Sequence, residues 1–357
     1  MKKLKHILLP VLCAAATFLA SCAADSSLTS VSGGYVLIDG EKTVPEYVME
    51  LDGEKLGFDR YRYLFLNTAD AMTEGIEDEK LAAFWTDENA ASLKKQVETY
   101  AANEHAILKY AAEKGIKLND AEQKEVDSFV ESVIDTNGMD QFSKSLNTLY
   151  LTKPLYRSLQ EEERLFQKLY DHLFGEGGEL ALTEDGYKEY YLANYLRAVQ
   201  IKVDFEVGEN RENCPETLKK AQEIRDEAAA GDFENTARAR NAVLTGKTDP
   251  AGFSFSENDV ASEFWQAASL LKEGEISQPV VTDQGVHVIK RLAPDESDMA
   301  SRRDEILWGK TLADGSFTGG VYPELFEKFY TDLGKQYLDK IVYNPQIEAY
   351  LKPGLVF

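Results

Sequence analysis

The hydrophobic pattern of this chain changes period twice, and that double change constrains its fold more than any other feature. Up to about residue 175 the apolar side chains recur at helical spacing. In SLKKQVETYAANEHAILKYAAEKG, the residues Leu93, Val97, Tyr100, Ile107, Leu108 and Ala111 share a face, with Ser92 placed as N-cap and Gly115 as the stop. Asn119 and Glu122 have capping-box spacing and open a helix through Val126, Phe129, Val130 and Val133. A third helix around PLYRSLQEEERLFQKLYDHLFG stops at Gly175. From about Ala198 the texture alternates instead: Val199, Ile201, Val203 and Phe205 fall on one face, Gln200, Lys202 and Asp204 on the other. A helix with Pro215 in its first turn and Gly231 at its end follows, then a second helical stretch, DFENTARARN. FSENDVASEFWQAASLLKEGE reads as a third helix and QPVVTDQGVHVIKRL as two strands across a turn. Residues 294–357 return to helix. The expected class is α+β, a small α/β module between helical regions.

The chain carries 62 acidic and 39 basic side chains, a net charge of -23. A body that acidic repels nucleic acid and anionic headgroups, so nucleic-acid binding is excluded as a function class. His105 and His172 stand far apart on helices without ligand-spaced partners, so no metal site and no cofactor is expected. The N-terminus reads as a leader: MKKLKH is basic, and ILLPVLCAAATFLA is apolar but too short and Pro-broken to span a bilayer. It ends in LASC, Leu19 to Cys22, which resembles the lipobox of bacterial lipoproteins. That resemblance implies cleavage after residue 21, lipid on Cys22 and a place on the extracytoplasmic face of the cell membrane. The alternative is an ordinary signal peptide followed by a coincidental cysteine. A polar stretch, 22–43, follows as a tether. YVMELDGEKLGF then reads as a strand, a DG turn and the start of a helix. With the leader removed, Cys214 is the one cysteine beside Cys22, so no disulfide framework is expected.

AVQIKV, the AAAGDF helix end, FWQAASLLKEGEISQPV and TDQGVHVIKR stand in the order and spacing of a parvulin-type peptidyl-prolyl isomerase domain. The most specific part is GEISQPVVTDQGVHVIK, which resembles the GEIS-x-PV, turn, GxH arrangement of parvulins. The likeness covers residues 196–293, and the flanking helices and leader resemble extracytoplasmic foldases of the PrsA/SurA type. It implies a helical chaperone domain made of residues 44–195 with the C-terminal segment 294–357, and a parvulin module inserted between them. The implied partners are unfolded or newly secreted proline-containing polypeptides.

Carried over by position, His287 matches the histidine of the closing strand, Phe264 the aromatic that packs on the proline ring, and Val260 an apolar pocket position. Thr282 matches the threonine that opens the turn, and Gln284 falls within that turn. Each also has a plain structural use, Phe264 and His287 as core residues and Thr282 as a turn former. The first strand of parvulins usually brings a second histidine, and here Gln200 stands in its place, unable to change protonation near neutral pH. Ala242 and Val243 replace the usual Asp or Cys after the second helix, and Lys247 to Ala251 hold little of the usual glycine-rich signature. Arg211 is the one basic residue in the loop after the first strand, too few for a phosphate-directed parvulin. The expected function is a surface-anchored prolyl isomerase and foldase; the alternative is a holdase of the same fold whose parvulin module is not catalytic.

Overall fold

The computed structural model describes residues 33–244, 252–310 and 319–357. The chain divides into two compact units, one of residues up to Ala181 with Leu307–Phe357, the other Leu182–Ile306.

The first unit opens with β1 (Val36–Ile38) and β2 (Glu41–Thr43), then β3 (Tyr47–Leu51) and β4 (Glu54–Gly57). The DG pair turns the chain between β3 and β4 because Asp52 and Gly53 both take positive φ, 52° and 85°, as a two-residue hairpin turn requires. Six helices follow: α1 (Phe58–Thr73), α2 (Asp78–Phe84), α3 (Asp87–Glu113), α4 (Asp120–Asn137), α5 (Met139–Thr148) and α6 (Lys153–Phe174). Thr86 caps α3 by accepting the Asn89 N–H, so this helix starts well ahead of Ser92. The capping box of Asn119 and Glu122 opens α4 as its spacing requires. Tyr61, Leu64 and Phe65 of α1 meet Leu93 and Val97 of α3, Val126 and Val130 of α4 and Leu159 of α6 in one core. Farther along α6, Tyr170 and Phe174 pack edge-on and stacked against Trp308, Tyr322 and Phe326. Tyr170, Phe174, Tyr322 and Phe326 are therefore core.

Two expectations change here. Residues 33–43 are not tether: Val36 is fully buried in the core, and Tyr35 and Phe357 exchange both backbone hydrogen bonds at 2.9 Å. Nor is the C-terminal segment helical throughout. α12 (Val321–Gly334) gives way to a 3-10 helix at Lys335–Lys340 and then to β9 (Ile341–Tyr343). β9 pairs antiparallel with β3, Met49 opposite Tyr343. A Cβ at Gly334 would collide with Asn103 of α3, so the close approach needs glycine there. The open edge of β3 then overrides the helical pattern of the sequence.

The second unit contains α7 (Glu184–Asn194), β5 (Leu196–Val203), α8 (Pro215–Ala230), α9 (Phe233–Leu244), β6 (Phe253–Phe255), α10 (Ser262–Leu270), β7 (Val280–Thr282), β8 (Gly285–Leu292) and most of α11 (Glu296–Trp308). Among the described residues its strands form one four-stranded sheet in the order β6-β5-β8-β7, all antiparallel. The unit takes in more than residues 196–293, since Tyr187 of α7 donates to the Met299 carbonyl at 2.7 Å and Tyr191 to Asp298 at 3.0 Å. β6 lies in a run read as helix. Gly252, at φ +82°, brings the chain so near β5 that a Cβ would sit 2.9 Å from the Ala198 carbonyl oxygen. Phe253 and Phe255 pair with β5 from that point, and helix is confined to α10.

Candidate functional site

The register of β5 and β8 builds the site. Val199, Ile201 and Val203 share a face with Val286 and Val288, and pack on Ala221, Ile224 and Ala228 of α8. Opposite residues of an antiparallel pair point to the same side. Lys202 lies opposite His287 and Gln200 opposite Ile289, so these four occupy the other face, the one that Phe264 and Ala268 of α10 cover.

On that face three side chains form a closed chain of hydrogen bonds. His287 Nδ1 lies 2.7 Å from Gln200 Oε1, and His287 Nε2 lies 2.9 Å from Thr282 Oγ1. A carboxamide oxygen only accepts, so the ring proton sits on Nδ1 and Nε2 accepts from the Thr282 hydroxyl. The Gln284 N–H donates in turn to Thr282 Oγ1 at 3.1 Å. Every donor thus points the same way, from the turn through the imidazole to Gln200. The imidazole is 5 % exposed, and burial, then the Lys202 charge, push its pKa down to about 4 against a weaker opposing pull from Asp204. His287 is neutral at physiological pH.

Above the imidazole stands an aromatic group. The Phe264 ring meets His287 edge-on at 5.4 Å, and Phe255 meets Phe264 at 5.4 Å. Phe264 is 3 % exposed, while Val260, Trp265, Phe253 and Val280 are partly open around the same cluster. The charges nearby pair among themselves. Lys202 binds Asp204 at 2.9 Å, and Arg211 binds Asp283 at 2.9 Å and also Glu263.

The structure therefore brings together Gln200, His287, Thr282, Gln284 and Phe264, with Val260 packed on the same cluster. Ala242 and Val243 lie at the end of α9, and Cys22 and Lys247 to Ala251 fall outside the described residues. Sequence reasoning missed Trp265, Val280 and the clamp of Arg211 on two carboxylates. Trp265 stands next to Phe264 in a helix, and that adjacency was the available signal. Cys214, buried at the N-terminal end of α8, has its thiol pushed up by burial.

Residues 201–293 match the family model described as rotamase, a PPIC-type PPIase domain. The chain is 24 % identical over 204 residues to the foldase protein PrsA of Clostridium botulinum, covering 55 % of this chain and 59 % of that relative. It thus spans less than two thirds of the length of the curated relative it matches. Among solved structures it is similar to peptidylprolyl isomerase (PrsA) from Bacillus anthracis, 22 % identical over 67 % of this chain and 94 % of that one, TM-score 0.27. The PrsA structure from Bacillus cereus is 20 % identical over 72 % and 82 %, TM-score 0.30. Residues 201–293 form a parvulin domain of the PPIC type, carried in a chain similar to the PrsA foldases.

Proposed function

We propose that this protein is a foldase that catalyses cis–trans isomerisation of X–Pro bonds in secreted polypeptides. The observation that carries the reading is the closed, neutral chain Gln200–His287–Thr282 beneath an apolar cluster. Rotation about an X–Pro bond must overcome a barrier of about 18–20 kcal/mol that amide resonance sustains. Resonance is strongest where water solvates the polarised imide, so an apolar seat for the proline ring favours the twisted state. Phe264, Val260 and their neighbours supply that seat, and the ordered dipoles beneath it need no proton transfer. Gln200 serves in this arrangement as the acceptor that fixes the His287 tautomer. His287 and Gln200 act on the imide's surroundings, and Phe264, Val260, Thr282 and Gln284 shape its seat. The paired state of Arg211 argues for clients without phosphate.

The chain is held at the extracytoplasmic membrane face by lipid on Cys22, and its clients are newly secreted proline-containing chains. No helix among the described residues is long and apolar enough to cross a membrane. Residues 44–195 and 294–357 serve as the chaperone part and 196–293 as the isomerase part. Peptide isomerisation assays on the wild type, His287→Ala and Phe264→Ala test the enzymatic reading. A wild-type rate above buffer, with both variants slower, is expected. A wild-type rate equal to buffer would overturn catalysis and leave a holdase. Membrane fractionation of Cys22→Ala tests the anchor, with release to the soluble fraction expected.

A further inference from the structure

The helical unit contains a pocket for which the isomerase site has no use. It measures about 510 Å³ and lies among α3, the start of α4 and α6. Leu108, Ala112, Ile116 and Leu165 line it with apolar surface, and Ser158 and Glu162 with polar atoms. Glu162 belongs at the same time to a buried cluster. Arg60 of α1 binds Glu104 of α3 at 2.6 Å and donates to both carboxylate oxygens of Glu162, one of them at 3.0 Å. The Ser158 hydroxyl donates to Glu162 at 3.1 Å. Glu104 and Glu162 are 7 % and 8 % exposed.

One guanidinium here faces two carboxylates, and a buried charge left unbalanced is costly. A proton supplies the balance. Burial raises Glu104 to about 8, Arg60 pulling it down and Glu162 pushing it up. A cation entering the pocket is the other way to supply it. We propose that this pocket takes a lysine or arginine side chain of an extended polypeptide, its methylene stem on the Leu108–Ala112–Ile116–Leu165 wall and its charged head against Glu162, where it offsets the second carboxylate that Arg60 alone does not balance. The stem and head of such a side chain suit a pocket that is apolar on one part and carboxylate on another. The remaining charges are already engaged or screened. Glu161 binds Arg157 at 3.0 Å, Glu122 binds Lys168 at 2.8 Å, and Tyr63 faces Arg60. Lys117 also lines the pocket but is exposed, so solvent screens its repulsion. The proposal rests on the polypeptide-handling reading only for the source of the ligand.

Two acetylated and amidated pentapeptides, Leu-Ala-Lys-Ala-Leu and its norleucine counterpart, titrated calorimetrically into the whole protein at pH 7, 8 and 9, test it. The lysine peptide is expected to bind more tightly, and its advantage to grow about fivefold between pH 7 and pH 8 as Glu104 loses its proton. Glu104→Gln, checked for folding by its thermal melt, should flatten that pH dependence and leave the norleucine peptide unchanged. Ala112→Trp, at an exposed position, should fill the pocket and abolish binding of both. Equal binding of the two peptides at every pH, an undiminished advantage in Glu104→Gln, or unaltered binding in Ala112→Trp would each overturn the proposal. Turnover of short proline peptides is measured in parallel. Its absence in the wild type overturns the isomerase reading alone.

Discussion

Gln200, His287 and Thr282 in one unit, and Arg60, Glu104 and Glu162 in the other, are both buried polar triads, yet they are balanced differently. In the first, each ring nitrogen meets one partner of the opposite kind, and no member carries charge. In the second, one cation serves two carboxylates, and a proton makes up the difference. A neutral chain of this kind holds its geometry across a wide pH range. An unbalanced one changes state near neutrality. The same general cost of burying polar groups thus gives a rigid site in one place and a titratable one in the other.

The sharpest way to break that comparison is to remove the cation. Arg60→Met takes the one cation out of a buried cluster that holds Glu104 and Glu162 and should cost about 3–5 kcal/mol at pH 7, read by urea denaturation. Burial disfavours the charged form of an unpaired carboxylate, so the loss should shrink at pH 5; an equal loss at both pH values would show that Arg60 acts by packing alone. Phe264→Ala should cost the other unit about 3–5 kcal/mol, because the ring closes the space between Phe255 and His287. Gln200→Leu should cost about 1–3 kcal/mol by leaving the His287 Nδ1–H without an acceptor, and should slow proline isomerisation. Stability preserved to within a few tenths of a kcal/mol would mean that the imidazole finds another partner.

Acid and base give the gentlest test. The folded pKa of Glu104 is raised above the value of about 4.5 that a free glutamate has, so the folded state holds a proton that the unfolded chain releases. That contribution is full below pH 4.5 and is lost as the pH rises toward 8. The folded pKa of His287 is depressed, so its contribution is full above about 6.5 and is lost as the pH falls toward 4. Isomerisation should therefore stay flat between pH 6 and pH 8. A profile that tracks a group titrating near 6.5 would place a proton on His287 in the working enzyme.

Much of the site could be read from the sequence because it depends on local pattern. The alternation of β5 and β8 fixes which residues share a face, and the DQG turn fixes Thr282 two residues before the start of the Gln284–Gly285 reversal into β8. Those constraints suffice to place Gln200, Thr282 and His287 together. The sequence could not show that Gln200 closes the hydrogen-bond chain instead of thinning it, since that depends on a 2.7 Å contact. The Arg60–Glu104–Glu162 cluster was not legible, because each residue comes from a different helix and each reads alone as solvated surface. β9 and β6 were missed for a related reason. Both are short strands whose pairing with a distant edge outweighs local preference.

The placement of β9 also sets an order of events. β3 cannot gain its second neighbour until the chain has been made as far as Tyr343, because Met49 waits for that residue. The sheet of the other unit closes on itself within Leu196–Leu292. A chain emerging N-terminus first can therefore complete the parvulin unit while the other unit is still open, its core helices lacking their final strand. The protein thus spends part of its own synthesis with one unit finished and the other not.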